Sequence, residues 1–215
     1  MANKKNKINF LCSACGDDFP KWNGQCPSCK EWGTLSEFKV LGKKRNSKTE
    51  FRDYKPLNDI LEAEPGDRLT TGIIEADRVL GGGLLPGSLL LLGGSPGVGK
   101  STLALHICAG INNPVLYVSA EESEEQVAIR AKRINIESDN LHLSSENDLH
   151  GILTHIDRIA PSLVIIDSIQ TILNSDLDSL PGSPSQIRDC GQKFLEVSKQ
   201  NNVIIIIVGH VTKEG

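Results

Sequence analysis

From residue 57 onward, short apolar runs alternate with longer amphipathic segments. The apolar runs predict strands at 89–92, 115–119, 163–167 and 203–209, with a weaker strand at 141–143. The segments around them predict helices at 73–80, 100–110, 124–134, 149–160 and 186–200. The main runs are apolar throughout rather than at alternate positions, which is typical of parallel strands covered by helices on both faces. The pattern therefore predicts a three-layer α/β domain with a mainly parallel sheet.

The first part of the chain lacks this alternation and predicts a separate small domain. Residues 1–41 hold two Cys-x-x-Cys pairs and few apolar runs. Residues 42–56 are polar and basic and end in a Lys-Pro pair, as expected of a linker. We predict a ribbon domain at 1–41, a linker at 42–56 and the α/β domain at 57–215.

A phosphate-binding loop follows the first predicted strand of the α/β domain. The motif G-x-x-x-x-G-K-[S/T] is matched by Gly94, Ser95, Pro96, Gly97, Val98, Gly99, Lys100 and Ser101. Its position between a strand and a helix aims backbone amides and the positive end of the helix dipole at an anion. We expect it to bind ATP, with Lys100 on the β- and γ-phosphates, Ser101 on Mg²⁺ and Thr102 in support.

Two carboxylates are candidates for the chemistry of hydrolysis. Asp167 ends the apolar strand 163–167, where it is expected to bind Mg²⁺ through a water. The next residue is Ser168 rather than Glu, so the carboxylate that activates water must come from elsewhere. Glu121, just after the strand 115–119, is the candidate. The alternative is that Glu121 is only an acidic residue before a helix, without a role in catalysis. His210, after the last strand, is either a sensor of the γ-phosphate or a structural residue.

The cysteine spacing predicts a structural zinc site. Cys12 and Cys15 form one Cys-x-x-Cys pair and Cys26 and Cys29 form another, ten residues further on. Two such pairs complete a closed tetrahedral site of four sulfurs, which leaves no position open for catalysis. Disulfides or a redox-active pair are the alternative.

The sequence leaves open the role of three of the aromatic residues in the ribbon. We expect Phe19, Trp22 and Trp32 to pack its small core, because aromatic side chains prefer burial. Stacking on a nucleic-acid base is the alternative.

Composition and charge restrict the class of protein. The chain has 215 residues, of which 39% are hydrophobic and 23% charged, as in ordinary globular proteins. The longest apolar run, 203–208, is far shorter than the ~20 residues of a membrane helix. The N-terminus shows no apolar signal region, so we expect a cytoplasmic protein with no membrane partner.

The net charge of −4 is unevenly distributed. Residues 1–48 carry ten Lys and Arg against four Asp and Glu, whereas the remainder carries thirteen against twenty-three. This basic front favours contact with a polyanion, or else it is a solvated segment that aids solubility.

Together these motifs resemble the RadA (Sms) family of bacterial DNA repair proteins, which are RecA-like ATPases. The resemblance rests on both cysteine pairs with the intervening Lys21–Gln25, and on Asp77–Gly83, Tyr117–Ser123, Ile166–Thr171 and Gly209–Gly215. It implies a DNA-dependent ATPase that binds single-stranded or branched DNA, promotes branch migration with the RecA recombinase and forms a homo-oligomeric ring. It also implies zinc on the four cysteines and, by analogy, water activation by Glu121.

The resemblance also raises alternatives. Family members continue beyond a position like Gly215 into further sheet, a Lys-Asn-Arg-Phe-Gly motif and a Lon-protease-like domain, so we expect a shortened chain. Such a chain is either an active ATPase or a nucleotide- and zinc-binding module without efficient hydrolysis. A nucleotide kinase fits less well, because a four-cysteine ribbon and the absence of an arginine-rich lid are untypical of that class.

Overall fold

A computed structural model describes residues 8–39, 54, 56–57, 67–177 and 179–210. The chain forms two compact units, Met1–Gly66 and Asp67–Gly215. The predicted linker at 42–56 lies almost entirely outside the described residues. In the part of the chain that is described, no helix combines the length and the apolar character needed to traverse a lipid bilayer.

The first unit is a small antiparallel ribbon. Its strands are β1 (Ile8–Cys12), β2 (Asp18–Phe19) and β3 (Leu35–Lys39), in the order β2-β1-β3. Cys12, Cys26 and Leu35 are buried, and the half-buried residues packed against them include Phe10 and Phe19. So few apolar side chains make only a minimal core, and the ribbon depends on its cysteine cluster instead.

The two tryptophans of the ribbon are exposed, contrary to the prediction that they pack its core. Trp22 is 61% exposed and Trp32 is 73% exposed, so neither packs in the core as predicted, whereas Phe19 does pack there. The preference of aromatic residues for burial is overridden because the thiol cluster occupies the centre of the ribbon. Both indole rings remain at the surface.

The second unit alternates helices and strands as the apolar pattern predicts. Its elements are α1 (Ile74–Val79), β4 (Leu89–Gly94), α2 (Lys100–Ala109), β5 (Val115–Ser119), α3 (Glu124–Arg133), β6 (Leu141–Ser144), α4 (Leu149–Ile159), β7 (Leu163–Asp167), a 3-10 turn (Ile169–Thr171), α5 (Pro184–Asn201) and β8 (Ile204–His210). Helix α3 begins with a capping box. The Ser123 side chain accepts from the backbone of Gln126, and the Gln126 side chain accepts from the backbone of Ser123.

The five strands β4 to β8 form one parallel sheet, in the order β4-β8-β7-β5-β6. Successive residues of β7 and β8 point to opposite faces and enter two separate apolar clusters, one on each side. Helices α2 and α3 contribute to the first cluster, and α4 and α5 contribute to the second. The predicted α/β class with both sheet faces covered is confirmed.

Candidate nucleotide site and zinc centre

The carboxyl ends of the strands bring the predicted nucleotide-site residues to one edge of the sheet. Gly94, at the end of β4, pairs with the backbone of His210 on β8. Asp167 pairs with Val208 on one side and with Ser119 of β5 on the other. Strand β8 therefore lies between the strand that leads into the phosphate loop and the strand that ends in Asp167, and the loops at this edge form the candidate site.

The phosphate loop has the backbone form that an anion site requires. Gly97 and Gly99 have φ of 77° and 97°, in the left-handed region that favours glycine. A Cβ built on either glycine would meet nothing within 4 Å, so the space above the loop is open. Gly99 caps α2 without any side-chain hydrogen bond to the first turn. The amides of that turn are thus available to a phosphate.

Lys100 is held against this loop. Its side chain is buried, and Nζ donates to the carbonyl oxygens of Gly94 at 2.9 Å and Ser95 at 3.0 Å. A Cβ on Gly94 would lie 3.5 Å from Cδ of Lys100, so the lysine stem runs directly over the glycine. Residues 95–99 are exposed, whereas Ser101 and Thr102 are half-buried in the first turn of α2. The site therefore holds an ammonium group, exposed amides and a hydroxyl together, a set that suits a magnesium-bound polyphosphate.

Asp167 is fixed by a neighbour that the sequence did not single out. The hydroxyl of Tyr117, a fully buried side chain on β5, donates to Oδ2 of Asp167 at 2.5 Å. Arg130 of α3 donates from Nη2 to the Tyr117 hydroxyl at 3.3 Å and pairs through Nη1 with Glu122 at 2.5 Å. Burial raises the pKa of Tyr117, and the Asp167 charge raises it further. Tyr117 therefore stays protonated and remains a donor to the carboxylate.

Glu121 lies beside the end of β7. The buried Ser168 donates from Oγ to Oε1 of Glu121 at 2.8 Å, and Ser168 follows Asp167 directly in the chain. The peptide bond between Asp167 and Ser168 is cis. Ser168 thus binds an acidic side chain from the segment that follows the neighbouring strand β5. Glu121 is therefore held by the residue next to Asp167 in the chain.

Sequence reasoning missed Tyr117, Arg130 and Gln170. The one local signal that pointed to Tyr117 is an aromatic residue among the aliphatic side chains of β5, two residues before the end of the strand. Gln170 lies in the 3-10 turn, with Nε2 4.0 Å from a Cβ built on Gly209. Its Oε1 is buried and has no hydrogen-bond partner among the described residues. Polar atoms of this kind are uncommon and are typical of places where a ligand or water completes the network.

We expect Tyr117→Phe to destabilise the α/β unit and to loosen Asp167. The substitution keeps the ring but removes the donor to Oδ2, which leaves an oxygen of the half-buried Asp167 carboxylate without this partner, at a cost of about 1–3 kcal/mol. Urea unfolding measures the loss. Tyr54→Phe is the matched control, because Tyr54 is the other tyrosine of the chain and is 94% exposed. Equal stability of the two variants would contradict a structural role for the Tyr117 hydroxyl.

The four ribbon cysteines converge as their spacing predicts. Sγ of Cys12 lies 3.7 Å from that of Cys29, and Sγ of Cys15 lies 3.6 Å from that of Cys26. All four sulfurs lie within 4.8 Å of one another. A tetrahedral zinc site with Zn–S bonds of about 2.3 Å spaces its sulfurs by about 3.8 Å. The cluster therefore fits Zn²⁺ with no open coordination position.

The backbone around the two cysteine pairs repeats the same turn. The amide of Gly16 donates to the carbonyl of Cys12, and that of Lys30 donates to the carbonyl of Cys26, each at 2.9 Å. Gly16 and Lys30 have φ of 76° and 61°. Lys30 thus adopts the left-handed conformation that glycine supplies in the first turn. The two matched turns aim both pairs of sulfurs at one point.

The electrostatics of the cluster are those of a metal site. Burial acts to raise the pKa of Cys12, but hydrogen bonding with Thr34 and with the backbone of Cys15 and Ala14 outweighs it and lowers the pKa to about 6. Burial, together with the neighbouring Cys12, Cys26 and Cys29 thiols, raises the pKa of Cys15 to about 12. Thiols this close cannot all ionise at neutral pH unless a cation offsets their charge.

Comparison with known proteins matches both units. An AAA domain family matches residues 59–215, and a rubredoxin metal binding domain family matches residues 10–37. The chain is similar to proteins named DNA repair protein RadA. It is 43% identical to that of Listeria monocytogenes over 100% of this chain, 43% identical to that of Bacillus subtilis over 98% and 40% identical to that of Haemophilus influenzae over 99%. Each alignment covers 48% of the relative, so the chain spans about half the length of these proteins.

Proposed function

Because this chain belongs to the AAA domain family, carries an N-terminal four-cysteine zinc ribbon and is homologous over its whole length to RadA proteins, we propose that it is an ATPase of DNA repair and recombination. The observation that carries the proposal is the location of three features at the carboxyl ends of neighbouring strands of one sheet. They are the open phosphate loop with Lys100, the carboxylate of Asp167, and Glu121 held by Ser168. Hydrolysis of a nucleoside triphosphate needs these three kinds of group in one place.

The roles of the loop residues follow from their placement. The amides of the loop and of the first turn of α2 bind the phosphates, and Lys100 lends positive charge to them. Ser101 and Asp167 would hold a Mg²⁺ ion, with Tyr117 fixing the orientation of the carboxylate. The chemistry that the ion would supply is neutralisation of charge on the phosphate oxygens. No catalytic group is needed from the ribbon.

Glu121 is the proposed base. Its carboxylate is exposed, so water reaches it, and the Ser168 hydroxyl fixes one of its oxygens. The other oxygen orients the water that attacks the γ-phosphorus. Glu121 receives the proton of that water as the bond to the β-phosphate oxygen breaks, and the products are ADP and inorganic phosphate.

The DNA substrate is proposed from the relatives and from the charge distribution. The relatives are named as DNA repair proteins, and the basic residues of this chain concentrate in 1–48. We propose single-stranded or branched DNA as the polymer, with branch migration in cooperation with RecA as the activity. For the longer proteins of the family, we propose assembly into a homo-oligomeric ring.

The proposal predicts that Glu121→Gln binds ATP normally but hydrolyses it at least about 100-fold more slowly. The amide keeps the shape of the side chain and its bond to Ser168 while removing the base. Binding is measured with a fluorescent ATP analogue, and turnover by phosphate release with and without single-stranded DNA. Glu137→Gln, at an exposed position in the same unit, is the matched control.

Two outcomes would overturn parts of the proposal. Equal turnover by Glu121→Gln and the unsubstituted chain would remove Glu121 from the mechanism. Tight ATP binding with no turnover by the unsubstituted chain, with or without DNA, would instead favour the alternative of a nucleotide- and zinc-binding module.

A further inference from the structure

We propose that the two exposed tryptophans of the zinc ribbon form a stacking surface for the bases of single-stranded DNA. This inference rests on the proposed DNA function and assigns part of it to particular residues. The surface, here named the tryptophan face, consists of Lys21, Trp22, Gly24, Lys30 and Trp32. It belongs entirely to the ribbon unit and shares no residue with the nucleotide site.

The geometry of the tryptophan face is set by Gly24. A Cβ built on Gly24 would lie 3.7 Å from Cη2 of Trp22 and 3.6 Å from Cζ3 of Trp32, so both indole rings border the same glycine. The amide of Gly33 donates to the carbonyl of Gly24 at 2.9 Å, and Gln25 bridges to Trp32 in antiparallel fashion. The backbone of this hairpin therefore places the rings together and leaves a gap without a side chain between them.

Folding of the ribbon does not explain these residues. The rings are 61% and 73% exposed, and the buried cluster of the ribbon is built from cysteines, Leu35 and two half-buried phenylalanines instead. Zinc binding supplies most of the folding free energy of a domain this small. Two large apolar rings side by side at a surface are typical of an interaction site.

Charge favours a polyanion as the occupant. Lys21 and Lys30 are exposed on the same hairpin as the tryptophans, against one acidic residue there, Glu31. The sequence around the ribbon adds further cations, since residues 1–48 carry ten Lys and Arg against four Asp and Glu. Flat aromatic faces next to cationic side chains bind single strands by stacking with bases while the cations meet phosphates. An acidic peptide would match the charge but would leave both ring faces without a stacking partner.

The test uses a property of this chain, which has two tryptophans, both on the tryptophan face. Tryptophan emission therefore reports on this surface alone. A thymidine oligonucleotide is titrated into the zinc-loaded full chain, and binding is followed both by tryptophan quenching and by anisotropy of a label on the oligonucleotide. We expect quenching that follows the anisotropy curve.

Substitutions separate stacking from general apolar contact. Trp22→Leu and Trp32→Leu are each expected to weaken binding by about 5- to 150-fold, because stacking contributes about 1–3 kcal/mol per base. Trp22→Phe and Trp32→Phe keep a flat ring and are expected to retain most of the affinity. Glu37→Ala, at an exposed ribbon position outside the tryptophan face, is the control for the effect of a substitution as such on binding. Zinc content of each variant verifies that the ribbon is folded.

The outcomes are distinguishable. Oligonucleotide binding by anisotropy with unchanged tryptophan emission, and with Leu variants as tight as the unsubstituted chain, would overturn the tryptophan face and leave the DNA function standing. Equal losses in the Phe and Leu variants would overturn stacking in favour of contacts made only by indole. Failure of the unsubstituted chain to bind the oligonucleotide at all would overturn both this inference and the proposed DNA function.

Discussion

Lys100→Ala is expected to reduce ATP turnover by about 100-fold or more and to weaken ATP binding. Two effects combine. The variant removes the positive charge that we propose binds the phosphates, and the loss of one such stabilising group costs on the order of 100- to 1,000-fold in rate. It also removes the two hydrogen bonds from Nζ to the carbonyls of Gly94 and Ser95, so the loop loses its internal tether.

Calorimetric titration with ATP and Mg²⁺ measures the binding loss, and phosphate release measures the turnover loss. Lys132→Ala is the matched control, since Lys132 is an exposed lysine at the far end of α3. Lys100→Arg adds a second comparison, because it keeps the charge but changes its shape. A Lys100→Ala variant that binds ATP as tightly as the Lys132→Ala variant would contradict the assignment of this loop as the nucleotide site.

Cys26→Ser is expected to abolish stoichiometric zinc binding and to unfold the ribbon while the α/β unit stays folded. Cys26 is 1% exposed and supplies one of four converging sulfurs, so its loss leaves an incomplete site. Structural zinc contributes on the order of 10 kcal/mol to the folding of such small domains, far more than the few apolar contacts of this ribbon supply. Removal of zinc by a chelator is expected to have the same effect.

Zinc content and the tryptophan emission spectrum follow the ribbon, and far-ultraviolet circular dichroism follows the α/β unit. Ser28→Ala is the matched control, because Ser28 is an exposed residue between Cys26 and Cys29 that offers no sulfur. A Cys26→Ser variant with full zinc content would contradict the four-cysteine site. Loss of the helical signal together with zinc would show instead that the α/β unit needs the ribbon to fold.

In the α/β unit, the local sequence was sufficient to predict the five strands and the helices around them. Apolar runs at 115–119 and 163–167 predicted strands, because a strand buried on both faces must be apolar at every position. Gly97, Gly99 and Lys100 identified the phosphate loop, because the φ values of the turn and the charge on the phosphates restrict the residue types allowed there. The cysteine spacing predicted the metal site, because the tetrahedral geometry of zinc also restricts the residue types and spacings allowed. In each case the physical constraint acts within a few residues along the chain.

Burial in the ribbon was predicted only in part. Phe19, Trp22 and Trp32 were all expected to be buried, because aromatic residues usually are. Only Phe19 packs in the core. The centre of a domain this small is filled by the four thiols and Leu35, and no room remains for two indole rings. The amount of apolar surface that a domain can bury depends on its volume. Residue type alone does not give that volume.

Residue type and short spacing were enough to predict the α/β fold class, the phosphate-loop motif and the convergence of the four cysteines. Three-dimensional packing was needed to show that β8 lies between β4 and β7, that Tyr117 donates to Asp167 fifty positions along the chain, and that Ser168 donates to Glu121. Strand order in a parallel sheet is set by how the crossover helices pack, and contacts between distant residues follow from that order. The local periodicity of the sequence predicts neither the strand order nor the contacts between distant residues.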